Sequence, residues 1–132
     1  MREHYLIDTD VLYDHLVHNN KKKRSFLTQL MMQGECFTTV LNASELFFFA
    51  KNDEHKMAIK KLLYALKVLG LNSRYSMDVP NYSDKFSSYQ ECLFYIIAEK
   101  NNLTIATNSP EKYNFGKVKI LSEKKTKRKS GK

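Results

Sequence analysis

The chain has 132 residues, 42% of them hydrophobic, with 8 Phe and 8 Tyr, a formal net charge of +8 and a pI near 9.4. That length suits one sizeable core and is too short for two, and no apolar run approaches the roughly 18 residues that span a bilayer. A polyanionic partner is suggested by the basic balance, although more than half of the net charge lies in the tail, where Lys124, Lys125, Lys127, Arg128, Lys129 and Lys132 face Glu123 alone.

From the N-terminus, His4-Tyr5-Leu6-Ile7 reads as a strand, reached without the cationic, apolar and small-residue segments of a secretory signal. A cytoplasmic protein is therefore expected. Val11, Leu12, His15 and Leu16 recur at helical spacing and end near the polar loop from His18 to Lys23. Phe26, Leu27, Leu30 and Met31 form the next helical stripe, stopped by Gly34 before a strand from Cys36 to Val40. A helix begun near Asn42 continues through Leu46 to Ala50, too apolar all round to lie on a surface, so Phe47-Phe48-Phe49 is expected in the core or at a dimer interface. Met57 to Leu69, closed by Gly70, predicts an amphipathic helix. Ser, Asn, Asp and Pro80 between Leu71 and Phe86 predict a loop or a short irregular strand. A helix then opens near Ser88 and runs to Asn101-Asn102, followed by a strand from Leu103 to Ala106 and a last one from Val118 to Leu121. Strands alternating with helices argue for an α/β fold with a mainly parallel sheet. Cys36 and Cys92 fit buried thiols in a reducing compartment better than a disulfide or a zinc site.

Polar groups gather at the ends of these strands: Asp8-Thr9-Asp10 after the first, Asn42 to Glu45 after the second, Glu91 at the helix start near Ser88, and Thr107-Asn108-Ser109 after Ala106. In a parallel sheet such ends lie side by side, so the groups can converge in one crevice. Converging carboxylates repel unless a cation lies between them, and hard oxygen donors suit Mg²⁺ or Mn²⁺. Each also has a plain local use. Asp8 or Thr9 can cap a helix with Asp10 in its first turn; Asn42 with Glu45 and Ser88 with Glu91 have capping-box spacing; Ser109 before Pro110 is the pattern of a cap followed by proline. Capping and metal binding are compatible, because a helix start holds a carboxylate rigidly at a crevice edge. Lys21, Lys22, Lys23 and Arg24 form a loop cluster able to contact a phosphate backbone without sequence choice.

Taken together, L-I-D-T-D-V-L at Leu6 to Leu12, S-E-L at Ser44 to Leu46, E-C-L-F-Y-I-I-A-E-K-N-N-L at Glu91 to Leu103 and A-T-N-S at Ala106 to Ser109 resemble the PIN-domain ribonucleases, above all the small VapC-type toxins of toxin-antitoxin pairs. The resemblance covers about residues 4 to 121. It implies a PIN-like three-layer α/β/α sandwich over residues 1–121, while the polar, basic composition of residues 122–132 predicts a disordered tail. It also implies that Asp8, Glu45 and Glu91 are catalytic and hold Mg²⁺ or Mn²⁺, that Asp10 matches a polar position usually Asn, and that Thr107 matches a hydroxyl position beside the site. Two departures stand out. Glu91 replaces the usual Asp, and at Ser109, where the family often has a further acid, only neutral oxygens from Asn108 or Ser109 are on offer.

The expected function is a metal-dependent endoribonuclease, the toxin of a type II toxin-antitoxin pair, guided onto RNA by Lys21 to Arg24, masked by a cognate antitoxin protein and acting as a homodimer with no membrane association. The alternative is a PIN-like RNA-binding or protein-interaction module whose chemistry has lapsed for want of the fourth acid.

Overall fold

The structure, a computed structural model, describes residues 3–123. Five strands, β1 (Glu3–Ile7), β2 (Gly34–Thr39), β3 (Lys67–Leu69), β4 (Thr104–Ala106) and β5 (Ile120–Leu121), form one sheet in the order β3-β2-β1-β4-β5. Every pairing is parallel. The helices are α1 (Thr9–Leu16), α2 (Phe26–Gln33), α3 (Val40–Phe48), α4 (Asp53–Tyr64), α5 (Ser73–Tyr82) and α6 (Tyr89–Lys100), with short 3₁₀ turns at Ser83–Lys85 and Pro110–Lys112.

Alternation along β1 separates two cores, as a pleated strand buried on both faces requires. Tyr5 and Ile7 join Val11 and Leu12 of α1, Leu27 and Leu30 of α2, Leu46 of α3, and Ile59 and Leu62 of α4. Leu6 points the other way, to Phe94, Tyr95, Ile97 and Ala98 of α6, with Tyr75 and Tyr82 of α5 packed against that cluster. The molecule is thus the expected α/β/α sandwich, with β1 at its centre. Cys36 and Cys92 are buried and are not joined in a disulfide. Among the described residues no helix is long and apolar enough to cross a membrane.

Four local expectations are corrected. Lys67–Leu69 is an edge strand instead of the end of a helix: α4 stops at Tyr64, and Lys67 pairs with Phe37 while its ammonium reaches Glu35 Oε2 at 3.0 Å. The stretch expected as loop holds α5 despite Pro80, because tertiary contacts override its weak propensity: Tyr82 donates to Glu99 at 2.7 Å, Lys100 pairs with Asp78 at 3.4 Å, and Asn101 donates to the Tyr75 hydroxyl at 3.1 Å. The helix expected near Asn42 begins at Val40, capped by Thr39, with Asn42 rather than Glu45 as the reciprocal residue of the capping box. Phe48 and Phe49 are not core residues; they are 81% and 69% exposed, while Leu46 is buried and Phe47 half-buried. The expectation of a disordered basic tail falls largely on residues 124–132, outside the described residues.

Candidate active site

From β1 the chain order steps outward through β2 to β3, then returns to β4 and β5 on the other side. The order therefore reverses between β1 and β4, and a crevice outside the carboxyl ends of such strands is where open α/β sheets bind ligands. Asp8 follows β1 and Thr107 follows β4 at this point. A cleft of about 970 Å³ opens there, lined by Asp8, Asp10, Glu45, Glu91 and Lys112 and rimmed by exposed aromatics including Phe48 and Tyr89.

Asp8 is the fixed member. As the N-cap of α1 it accepts from the Thr9 N–H at 2.8 Å through Oδ1, while Oδ2 accepts from the Thr107 hydroxyl at 2.8 Å and the Tyr113 hydroxyl at 3.3 Å. It is buried, and burial together with the neighbouring Asp10 charge raises its carboxyl above the ordinary range, opposed by the Thr107 hydrogen bond and the Lys112 charge. Burial first, and then the charges of Asp8 and Glu91, push the Tyr113 phenol upward, so Tyr113 remains a donor. Asp10 lies in the first turn of α1, accepting from the Asn108 N–H at 3.2 Å and the Ser109 hydroxyl at 3.1 Å.

Glu45, near the C-terminal half of α3, accepts from the Thr9 hydroxyl at 3.0 Å, and Thr9 in turn accepts from Asn42 Nδ2 at 2.9 Å. Glu91 follows the N-cap Ser88 of α6; its Oε1 accepts from the Ser87 hydroxyl at 3.2 Å and its Oε2 lies 3.5 Å from Lys112 Nζ. Burial works to lower the Lys112 ammonium, but the charges of Asp8, Glu91 and Asp10 outweigh it and hold the group above its ordinary value.

The expected residues are thus distributed unevenly. Asp8, Asp10, Glu45 and Glu91 share the cleft. Thr107 is buried behind it, supporting Asp8, and Ser109 does not cap the following 3₁₀ turn but turns its hydroxyl to Asp10. The Asn108 side chain faces away, donating to Asp14 at 2.7 Å. Lys23 and Arg24 line a separate pocket of about 270 Å³ that adjoins Asn108, and Lys21 and Lys22 are exposed in the same loop. Lys112 and Tyr113 were not anticipated. The available signal was Pro110, whose fixed φ favours a tight turn that carries the next residues back over the strand ends.

The donor set consists of hard oxygens and fits Mg²⁺ or Mn²⁺ in kind. Among the described residues, however, no group of three or more Asp, Glu, His or Cys side chains is gathered as a metal site. Glu45 and Glu91 each have a protein partner, the Thr9 hydroxyl for Glu45 and the Ser87 hydroxyl and Lys112 ammonium for Glu91.

A parallel sheet in this order, covered by helices on both faces and with an acidic cleft at its switch point, has the PIN-like α/β/α architecture. The PIN domain model matches residues 5–116, and the chain belongs to the PIN domain family. Among solved structures it is similar to a chain of VapBC2 from Rickettsia felis bound to a promoter DNA fragment, with a TM-score of 0.75, 13% identity, and coverage of 90% of this chain and 98% of that one. A toxin-antitoxin complex from Klebsiella pneumoniae matches with a TM-score of 0.70 and 13% identity over 89% of this chain and 95% of the other. FitAcB from Neisseria gonorrhoeae matches with a TM-score of 0.67 and 16% identity over 89% and 96%. No curated protein matches the chain in sequence. PIN domains are generally nucleases, and those nucleases generally use divalent metal ions.

Proposed function

We propose that the chain is a metal-dependent endoribonuclease and the toxin of a toxin-antitoxin pair. The observation that carries this reading is the meeting of Asp8, Asp10, Glu45 and Glu91 in one cleft of a PIN domain. Asp8, Glu45 and Glu91 would hold Mg²⁺ or Mn²⁺, with Asp10 as an accessory oxygen donor. When bound, such an ion promotes deprotonation of water and offsets charge on the phosphate during in-line displacement. The P–O bond to the leaving oxygen breaks as water adds to phosphorus, and that oxygen leaves with a proton.

The chain's own contribution is positioning. Thr107 and Tyr113 hold Asp8 from behind, and the Asn108 N–H and Ser109 hydroxyl hold Asp10, so two oxygen donors enter the cleft with little freedom left to lose. Thr9 keeps Glu45 at the edge of the cleft. Lys21, Lys22, Lys23 and Arg24 draw the RNA backbone toward this end of the sheet, giving affinity that falls with salt. The similar structures are VapBC2, a toxin-antitoxin complex and FitAcB, which supports an antitoxin partner for this chain too. We assign the site to a homodimer in the cytoplasm.

The test is RNA cleavage by purified protein with Mg²⁺, Mn²⁺ or EDTA, run beside an equally folded Asp8→Asn variant. Metal-dependent cleavage lost in the variant is expected. Equal background in both proteins, with RNA still bound, would instead identify a binding module whose chemistry has lapsed.

A further inference from the structure

The acidic cleft already contains one cation, and it belongs to the protein. Lys112 ends the 3₁₀ turn after Pro110, and the adjacent Tyr113 is buried with its hydroxyl on Asp8, so the backbone that carries the lysine is anchored to the acid cluster itself. Its ammonium lies 3.5 Å from Glu91 Oε2, and the charges of Asp8 and Asp10 also act on it. With Asp8, Asp10, Glu45 and Glu91 ionised, the cleft lining carries a fourfold negative charge that this ammonium reduces. The lysine side chain is 37% exposed and the Glu91 side chain 23%, so the pair is accessible to solvent and can be exchanged.

We propose that Lys112 is a tethered counter-cation that competes with divalent metal for Glu91, so that metal enters the cleft by displacing the ammonium from that carboxylate. This rests on the reading of the cleft as a divalent-metal site. Two like charges cannot share Glu91 at close range without mutual repulsion, and the flexible four-carbon stem of lysine lets its head move while its base stays fixed. The released ammonium remains at the mouth of the cleft, where its chemistry suits a non-bridging phosphate oxygen of the RNA. Lys112 is thus a positioning residue before metal binds, holding Glu91 Oε2 on the side of the 3₁₀ turn.

The experiment is Mn²⁺ binding by isothermal titration calorimetry, without RNA, to the wild-type chain and the Lys112→Gln, Lys112→Arg and Asp8→Asn variants. Lys112→Gln is expected to bind Mn²⁺ roughly tenfold more tightly, the order of effect when one charge is removed a few ångströms from a divalent ion in a water-like medium. Lys112→Arg, which keeps the charge and can still pair with Glu91, is expected to stay near wild type. Asp8→Asn is expected to weaken binding. Tighter binding in the glutamine variant alone supports the proposal, as does binding by that variant where wild type shows none. Unchanged or weaker binding by Lys112→Gln, with wild type binding and Asp8→Asn impaired, overturns the competition and leaves the metal site standing. Absence of binding in all four proteins overturns both.

Discussion

The Thr107 hydroxyl donates to Asp8 Oδ2 at 2.8 Å, joining two buried residues 99 positions apart in the chain. Each follows a strand directly, Asp8 after β1 and Thr107 after β4, and Leu6 pairs with Ile105 and Ile7 with Ala106 in the parallel register. The sheet thus sets the distance, and the hydrogen bond fixes the carboxylate that caps α1. Thr107→Val keeps the shape and removes the donor, leaving Asp8 Oδ2 with the Tyr113 hydroxyl at 3.3 Å. A loss of about 1–3 kcal/mol is expected, the usual cost of an undersupplied buried acceptor. Urea unfolding measures it, with Thr107→Ser expected to recover most of the loss.

Asp8 also predicts a pH dependence. Burial, then the charge of Asp10, raises its carboxyl in the folded chain, so the folded state holds the Asp8 proton more tightly than the unfolded state does. The contribution of this group to stability is therefore most favourable below its unfolded value of about 3.9 and declines as pH rises through the raised folded value. Asp8→Asn keeps an oxygen for the Thr9 N–H and removes the charge. Without metal, the variant is expected to melt higher than wild type at pH 7, with the gap closing toward pH 4. Melting curves across that range decide it; a gap that widens on acidification would contradict the assignment.

Part of the cleft lining is legible for local reasons: Asp8 directly follows the short apolar run of β1, and Glu91 follows Ser88 at a helix start. Glu45 lies within the helix after β2, and its grouping with the other two comes from the family resemblance, not from its position alone. What escaped notice depends on contacts between distant residues. The helix α5 has Pro80 in its interior and no buried residue of its own, and it is held by α6 through Tyr82 to Glu99 and Asp78 to Lys100. The edge strand β3 is three residues long and continues an apolar pattern that suits a helix equally well. Lys112 has no local mark beyond Pro110, two residues before it. Its place follows from the turn at Pro110 and from Tyr113 packing beneath Asp8. A run of three phenylalanines signals burial in general, but α3 turns about 100° per residue, so consecutive side chains cannot all face the same core.

Gly116 lies in the segment that returns from the cleft toward β5, where a Cβ would run into the Tyr95 hydroxyl. Tyr95 cannot withdraw: it is 1% exposed, and its ring packs against Tyr82, Phe86 and Phe115. Gly116→Ala is expected to cost about 1–3 kcal/mol by overpacking. Thermal unfolding checks this, and the companion variant Gly116→Ala with Tyr95→Phe, which removes the obstructing oxygen, is expected to regain part of the loss. Because the same segment leads on from Lys112 and Tyr113, cleavage should fall together with stability in the single variant.

Phe48 and Phe49 stand on the rim of the acidic cleft, their rings edge to face with centroids 5.1 Å apart. Little apolar area is buried there in the isolated chain, so replacing both with Ser should change its stability by no more than about 0.5 kcal/mol. Aromatic faces beside a phosphodiester site are suited to stacking unpaired bases, at about 1–3 kcal/mol per base. The double variant is therefore expected to cleave saturating RNA at the wild-type rate while its KM rises about tenfold, in keeping with one lost stacking contact. Steady-state kinetics separate the two constants. An unchanged KM accompanied by a shift to monomer in analytical ultracentrifugation would assign the pair instead to the interface between copies of the chain.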